Sequence, residues 1–291
     1  MGSPRLDRAI VVTGASTGIG RAAVASAVKA GARVFASVRK DADAAGLAAE
    51  FGDAVTPLVF DVVDETGVRA GAAKVSEALG KQRLFGLVNN AGVAVPGPLL
   101  HLDPEELRRQ LDINLIGVHR VTQAFAPLMG ADAEHTEGKP GRIVMISSVG
   151  GQNGSPFVGA YAASKFALEG YSQSLRRELM LYGIDVIVVG PGAIATPIWD
   201  KADETELAKY ANTAYGPMLA KVRDYMVTSG KKGLPADEVG DLIWRCLTDA
   251  APKTRYAILR RPFMDRTLPR LMNPRTVDRI IAKRLGFPNR A

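Results

Sequence analysis

Cysteine is almost missing from this chain of 291 residues. Cys246 stands alone, so no internal disulfide can form, and its setting in "LIWRCL" reads as a buried core thiol. Nothing in that usage asks for an oxidising compartment. Histidine is scarce too: His101, His119 and His135 share no metal-like spacing with one another or with Cys246. That excludes a His/Cys metal centre and leaves the three structural or solvated. No apolar run reaches the roughly 20 uninterrupted residues of a membrane helix. The nearest candidate, "VIVVGPGAIATPIW", is interrupted at Gly190, Pro191 and Gly192 and follows Asp185. The opening "MGSPRLDRAIVVTG" lacks the charged segment, apolar segment and cleavage site of a secretion signal. Repeats and low-complexity linkers are also absent. A soluble, cytoplasmic protein is expected.

A uniform excess of one charge is missing as well. The net charge is +7, yet residues 252–291 hold 11 Lys+Arg and 2 Asp+Glu, leaving 26 basic and 28 acidic residues elsewhere. The body is nearly neutral and only the tail is basic. With few aromatics interleaved there, the charge does not argue for a nucleic-acid partner. The tail mixes Leu, Met and Ile with Arg and Lys at roughly helical spacing. It is expected to pack as a helix on this chain or a neighbouring subunit, the other reading being contact with an anionic membrane surface.

What is present in quantity is hydrophobic residue, 47% of the chain, enough for a large core. "AIVVTG", "ARVFASV", "VTPLVFDV", "LFGLVNNAG", "GRIVMISS" and "IDVIVVGPG" are short apolar strands without polar alternation. Strands of that kind are buried on both faces, and segments of helical periodicity lie between them. The pattern predicts an α/β fold with a doubly wound parallel sheet, one domain over residues 1–250 and a basic helical extension over 251–291. In "LDPEEL", Asp103 is placed to cap a helix starting at Pro104, with Glu106 completing a capping box. A longer helix is expected from about Gly159 to Tyr182, closed by Gly183. Between Ala193 and Leu234 the rhythm fades, and Ile198, Trp199, Tyr210, Tyr215, Met218, Tyr225 and Met226 make the segment strongly apolar.

Two stretches carry chemistry. In "TGASTGIGR" a strand turns into a helix through Gly14, Gly18 and Gly20, which suits a phosphate: no Cβ blocks the approach, and free N–H groups face it at a helix N-terminus. At the end of the second strand, "VFASVRK" puts Val38 where an acidic residue would grip a ribose 2′-hydroxyl, followed by Arg39 and Lys40. This favours NADP(H), with NAD(H) possible, and Ser16 can add a hydrogen bond to the same phosphate. The second stretch is "YAASK". A helical i to i+4 spacing sets Lys165 on the face of Tyr161, and a nearby cation makes a phenol of pKa near 10 a more usable proton shuttle.

Taken with "NNAG" and "ISS", these motifs resemble the short-chain dehydrogenase/reductase superfamily, nearest its retinol and hydroxysteroid dehydrogenase branch, over about Arg8 to Leu247. The resemblance implies a Rossmann fold and a catalytic tetrad of Asn114, Ser148, Tyr161 and Lys165, with Ser148 chosen over Ser147 by its interval of thirteen residues to Tyr161. It implies a cofactor held by Gly14, Ser16, Thr17, Gly18, Ile19 and Gly20, and by Asn89, Ala91 and Gly92 on the adenosine side. Asp61 with Val62 would meet the adenine, Pro191, Gly192, Ile194 and Thr196 the nicotinamide carboxamide, and Tyr161 and Lys165 would also touch the cofactor. It further implies a lid at about 193–234 over a lipophilic alcohol or ketone, a water held by Asn114, and a homodimer or homotetramer. Hydride transfer to a ketone builds negative charge on oxygen, which needs a donor and a proton source. Ser148 and Tyr161 suit those roles. A non-catalytic NADP(H)-binding regulatory protein on the same fold is the alternative.

Overall fold

A computed structural model describes residues 5–196 and 207–287. Ile198 and Trp199 lie outside the described residues. Seven parallel strands form the main sheet: β1 (Arg5–Val12), β2 (Ala32–Val38), β3 (Val55–Val59), β4 (Gly86–Asn89), β5 (Arg142–Ile146), β6 (Asp185–Pro191) and β9 (Arg255–Ile258), in the order β3-β2-β1-β4-β5-β6-β9. A two-stranded pair, β7 (Ile194–Ala195) with β8 (Leu234–Pro235), stands apart.

Alternation explains the unbroken apolar runs. Ala9 and Val11 point into one core layer with Leu87, Ile143, Met145 and Val186. Ile10 and Val12 point into the other with Val88, Val144, Ile187 and Val189. Each strand therefore feeds two cores, and only helices on both faces can complete them. On one side α1 (Gly18–Lys29) packs against the helix Ala236–Thr248, with Cys246 fully buried there. Burial pushes its thiol up to about 12, so it is a packing group and not a nucleophile. On the other side lie α3 (Glu65–Leu79), α5 (Gly117–Phe125) and α6 (Gly159–Glu178). Chain order reverses between β1 and β4, which opens a crevice at the carboxyl ends of those strands.

Several expectations meet the structure closely. After α6 the chain tightens into a 3₁₀ turn over Leu179–Tyr182 and ends at Gly183 with φ 69°. Others are corrected. The sheet runs past residue 250, because β9 comes from the stretch expected to be extension; "RYAI" is too short an edge strand to stand out. The stretch from 193 to 234 is not without rhythm, since Gly216–Lys231 is a helix whose Pro217 lies in the first turn, where proline is tolerated. Asp103 caps α4 (Pro104–Leu111) by accepting from Glu105 N at 2.9 Å. Glu106 does not close the box and instead binds Lys209 Nζ at 2.7 Å, fastening α4 to the segment before the helix Gly216–Lys231. His135 is only 1% exposed, its Nδ1 3.0 Å from Asp132 and its Nε2 3.2 Å from Ser76, so the loop before β5 is anchored and not merely solvated.

The tail helix Pro274–Leu285 packs on the helix Gly216–Lys231. Leu285 and Phe287 join a small apolar cluster around Phe157, Tyr210 and Leu219, and Arg284 lies over the Tyr225 ring at 5.7 Å.

Candidate active site

The glycine turn occupies the crevice. Gly14 takes φ 64°, and a Cβ there would lie 2.9 Å from Ala91 Cα. At Gly20 a Cβ would sit 2.2 Å from the Gly14 carbonyl oxygen. Only glycine allows so tight a turn. Thr17 offers no side-chain cap to α1, and the first turn has no acidic residue. The N–H groups of Gly18, Ile19 and Gly20 therefore lack intrahelical acceptors and are available to an anion. Thr196 is brought to the same place, with a Cβ at Gly18 falling 3.2 Å from its Cγ2. Pro191 and Gly192 end β6 nearby, and Gly192 N donates to Ile258 O at 2.9 Å. Ile194 is buried in the second core layer and pairs with Leu234.

On the far side of β1, Arg39 and Lys40 are exposed beyond β2, Lys40 immediately before α2 (Asp41–Phe51). Arg39 Nη1 approaches Asp61 Oδ2 at 4.0 Å, and a cleft of about 560 Å³ opens between these two and Arg108 and Arg109 of α4. Asp61 also accepts from Val63 N at 3.2 Å, while Val62 is buried in the core. The lining sets the guanidiniums of Arg39, Arg108 and Arg109 beside the carboxylates of Asp61, Glu105 and Asp112, so the cations that a 2′-phosphate needs are present among acids.

In "NNAG" the side chains divide. Asn89 is turned into the core, its Nδ2 donating to Thr122 Oγ1 at 3.1 Å and reaching Met145 Sδ at 3.4 Å, so its side chain does not line the crevice. The neighbour Asn90 does that instead: its Nδ2 donates to the Thr13 and Gly14 carbonyls at 2.9 and 3.0 Å. Thr13 Oγ1 accepts from Asn90 N and Ala91 N at 3.0 and 3.1 Å. Together they weld the β1 turn to the β4 turn. Gly92 lies against Asn114, whose Oδ1 would be 3.2 Å from a Cβ there.

Asn114 is fully buried in a π-helical turn, Asp112–Ile116, between α4 and α5. Such single wide turns redirect one side chain and recur at functional sites. Its amide clamps Val93, accepting from N and donating to O, both at 2.9 Å. It reaches α6 through Ser164 Oγ at 3.0 Å, which in turn donates to Tyr161 O. Gln110, one turn earlier, holds Val93 O and Val95 N at 2.7 Å each. Of these supports, Gln110 is legible only as an i to i+4 partner of Asn114; Thr13, Asn90 and Ser164 have no distinguishing sequence signal.

Ser148 follows β5 and Tyr161 opens α6, and both flank Gly150: a Cβ there would be 3.4 Å from Ser148 Oγ and 3.3 Å from Tyr161 Cε1. Ser148 Oγ accepts from Gly150 N at 3.0 Å. Lys165 is buried beneath them, its Nζ donating to Ile146 O at 2.8 Å and standing 5.8 Å from the Tyr161 ring centroid. Burial pushes the Lys165 ammonium down to about 8, against the opposing pull of Glu169. Burial also raises the Tyr161 phenol, with the Ser148 hydroxyl pulling the other way. The lowered tyrosine expected from the spacing is thus not what the chain alone produces. Lys165 is turned toward a carbonyl, and the desolvation of a phenolate outweighs the Ser148 hydrogen bond.

A doubly wound sheet with a glycine turn at its switch point and a Ser, Tyr and Lys group beside it defines a nucleotide-binding fold of the dehydrogenase kind. The family model described as short chain dehydrogenase matches residues 8–207, and the chain belongs to that family. It is 37% identical over 278 residues to an NADPH-dependent 3-dehydrocapnine reductase of Ornithobacterium rhinotracheale, covering 96% of this chain and 97% of the relative. It is 31% identical to retinol dehydrogenase 7 of Rattus norvegicus, covering 86% and 80%. A short-chain dehydrogenase structure from Streptomyces avermitilis superposes with TM-score 0.75 at 28% identity, covering 97% of this chain and 95% of the other.

Proposed function

We propose that this protein transfers a hydride between NADP(H) and a lipophilic alcohol or ketone, of steroid, retinoid or similar type. The observation that carries the reading is the meeting of Ser148 and Tyr161 above the buried Lys165, at the end of β5 and beside the glycine turn. Gly18, Ile19 and Gly20 would hold the pyrophosphate with their N–H groups, and Arg39 and Lys40 the 2′-phosphate. The relative named as NADPH-dependent supports that choice. When bound, the cofactor supplies or accepts the hydride.

The chain's own residues do the rest. Ser148 Oγ is oriented by Gly150 N, and its hydroxyl, which reaches the Tyr161 phenol, can turn its proton to a carbonyl oxygen placed between them. Tyr161, with its phenol raised by burial, keeps its proton at neutral pH and can give it to the oxygen as negative charge develops. The Lys165 cation then faces the tyrosinate in a site shielded from water. Asn114 keeps the crevice side of α6 fixed through Ser164. Phe157, Tyr210 and Leu219, with Tyr215 and Met218 packed on them, offer the apolar wall that a lipophilic substrate needs. Self-association through the faces of α6 and of the turn leading into α5, where Phe166 and Ile116 are exposed, goes with this reading.

Following NADPH absorbance across ketones, quinones, steroids and retinoids tests the activity. Tyr161→Phe is expected to bind NADPH normally and lose turnover by about 100-fold or more. Near-normal turnover in that variant would refute the mechanism. NADPH binding without turnover on any carbonyl would favour the regulatory alternative.

A further inference from the structure

Behind the reacting groups lies a buried charge cluster that the chemistry above does not use. Glu169 sits one turn after Lys165 on α6, and only 8% of it is exposed. Its carboxylate accepts from Ser147 Oγ at 2.7 Å, from Arg255 Nε at 3.0 Å and from Arg255 Nη2 at 2.9 Å. Ser147 is the chain neighbour of Ser148, and Arg255 opens the edge strand β9. The fit is close: a Cβ at Gly190 of β6 would fall 2.5 Å from Arg255 Nη2, and one at Gly151 would fall 2.6 Å from Ser147 Oγ.

Burying a carboxylate and a guanidinium costs several kcal/mol per ion, and a well-packed apolar pair often does as well for stability. The cost is visible here, because Arg255 Nη1 is buried without a hydrogen-bond partner among the described residues. What the cluster does achieve is connection. The charged groups around Glu169 are Lys165 on α6, Arg255 on β9, and Arg266 in the segment that follows. Arg266 Nε and Arg270 Nη1 both donate to Gln152 Oε1, at 3.0 and 3.1 Å, in the loop that joins Ser148 to Tyr161. The segment 255–270 thereby braces the catalytic loop and helix from behind.

We propose that Glu169, gripped by Arg255, is a positioning residue that holds the Lys165 cation and the Ser147–Ser148 turn in place for proton transfer at the Tyr161 hydroxyl. The inference rests on the acid/base role of Tyr161 given above. It agrees with the pull of Glu169 against the burial of Lys165.

The test is the pH profile of kcat/KM for NADPH-dependent carbonyl reduction, whose alkaline limb reports loss of the Lys165 proton. Removing the carboxylate in Glu169→Gln is expected to move that limb to lower pH by about one unit. NADPH affinity by fluorescence titration should stay close to wild type. Glu169→Asp, which keeps the charge, should bring the limb back toward its normal place. Arg255→Met, which removes a neighbouring cation and leaves the carboxylate to face Lys165 alone, should move the limb the other way, to higher pH. An unmoved limb in whichever of Glu169→Gln and Arg255→Met folds, judged by circular dichroism, overturns the assignment. The two failures are separable: an active Tyr161→Phe sinks the underlying mechanism, whereas an inactive Tyr161→Phe with an unmoved limb sinks only the positioning role.

Discussion

Replacing Lys165 by Met should weaken the enzyme and strengthen the fold at once. The cation lies 5.8 Å from the Tyr161 ring centroid. The charge to be stabilised sits on the phenol oxygen, and at an effective dielectric of about 20 a cation a few ångströms from it contributes about 3 kcal/mol. That corresponds to about two pKa units, or roughly 100-fold in turnover at neutral pH. Stability moves the other way. Lys165 titrates at about 8 instead of 10.5 because burial disfavours its charge. Below the folded value both folded and unfolded chains hold the proton, and the folded chain bears the full desolvation cost. Between the folded and unfolded values the unfolded chain binds more protons, so stability rises with pH across that window. Lys165→Met removes the cost, up to about 3 kcal/mol at pH 7, less about 1 kcal/mol for the lost hydrogen bond to Ile146 O. Urea unfolding of both proteins at pH 7 and again above the unfolded lysine pKa measures this, beside kcat/KM for carbonyl reduction. The variant should be more stable at pH 7 by about 2 kcal/mol, and its advantage should shrink in alkali. A variant that keeps most of its turnover, or is less stable than wild type at pH 7, would refute the reasoning.

Exchanging Arg39 and Lys40 together for Ala should weaken NADPH binding by about tenfold or more while leaving NADH binding alone, since charge-assisted hydrogen bonds to the 2′-phosphate are lost. The exposed 4.0 Å approach of Arg39 to Asp61 contributes little, so the melting temperature should not move; equal losses for both cofactors would show that the cleft does not read the phosphate. A chain ending at Thr248 should lose activity and stability, because it lacks β9, Arg255 and the braces on Gln152. One ending at Met272 keeps all three and should bind NADPH normally, as a fluorescence titration would show. The longer truncation, with the tail helix removed, is therefore the one to compare with the full chain in vesicle co-sedimentation.

Much of the site was legible because its residues are tied to local geometry. Gly14, Gly18 and Gly20 mark a turn that side chains forbid, and Tyr161 and Lys165 share a face by helical spacing alone. The misreadings arose where a role depends on distant partners. Asn89 and Asn90 are indistinguishable in "NNAG", yet one is spent on Thr122 in the core and the other on the glycine turn. Glu106 looks like half of a capping box until Lys209, 103 residues on, reaches it. Arg255 sits 86 residues after Glu169, in a stretch that reads as tail.

The sequence by itself determined the layered α/β architecture, the anion-binding turn, the preference of its flank for a phosphate, and the pairing of Tyr161 with Lys165. Each follows from a period of two or 3.6 residues or from the steric freedom of glycine, properties that act over a few neighbouring positions. Tertiary structure alone decided the ionisation of the site. Whether a phenol is acidified by a lysine or left protonated depends on how much water is excluded and on which carbonyl the ammonium faces, and those are set by packing β5, α6 and β9 together. The same packing placed Arg255 on Glu169, behind Lys165, where no spacing in the chain points to it.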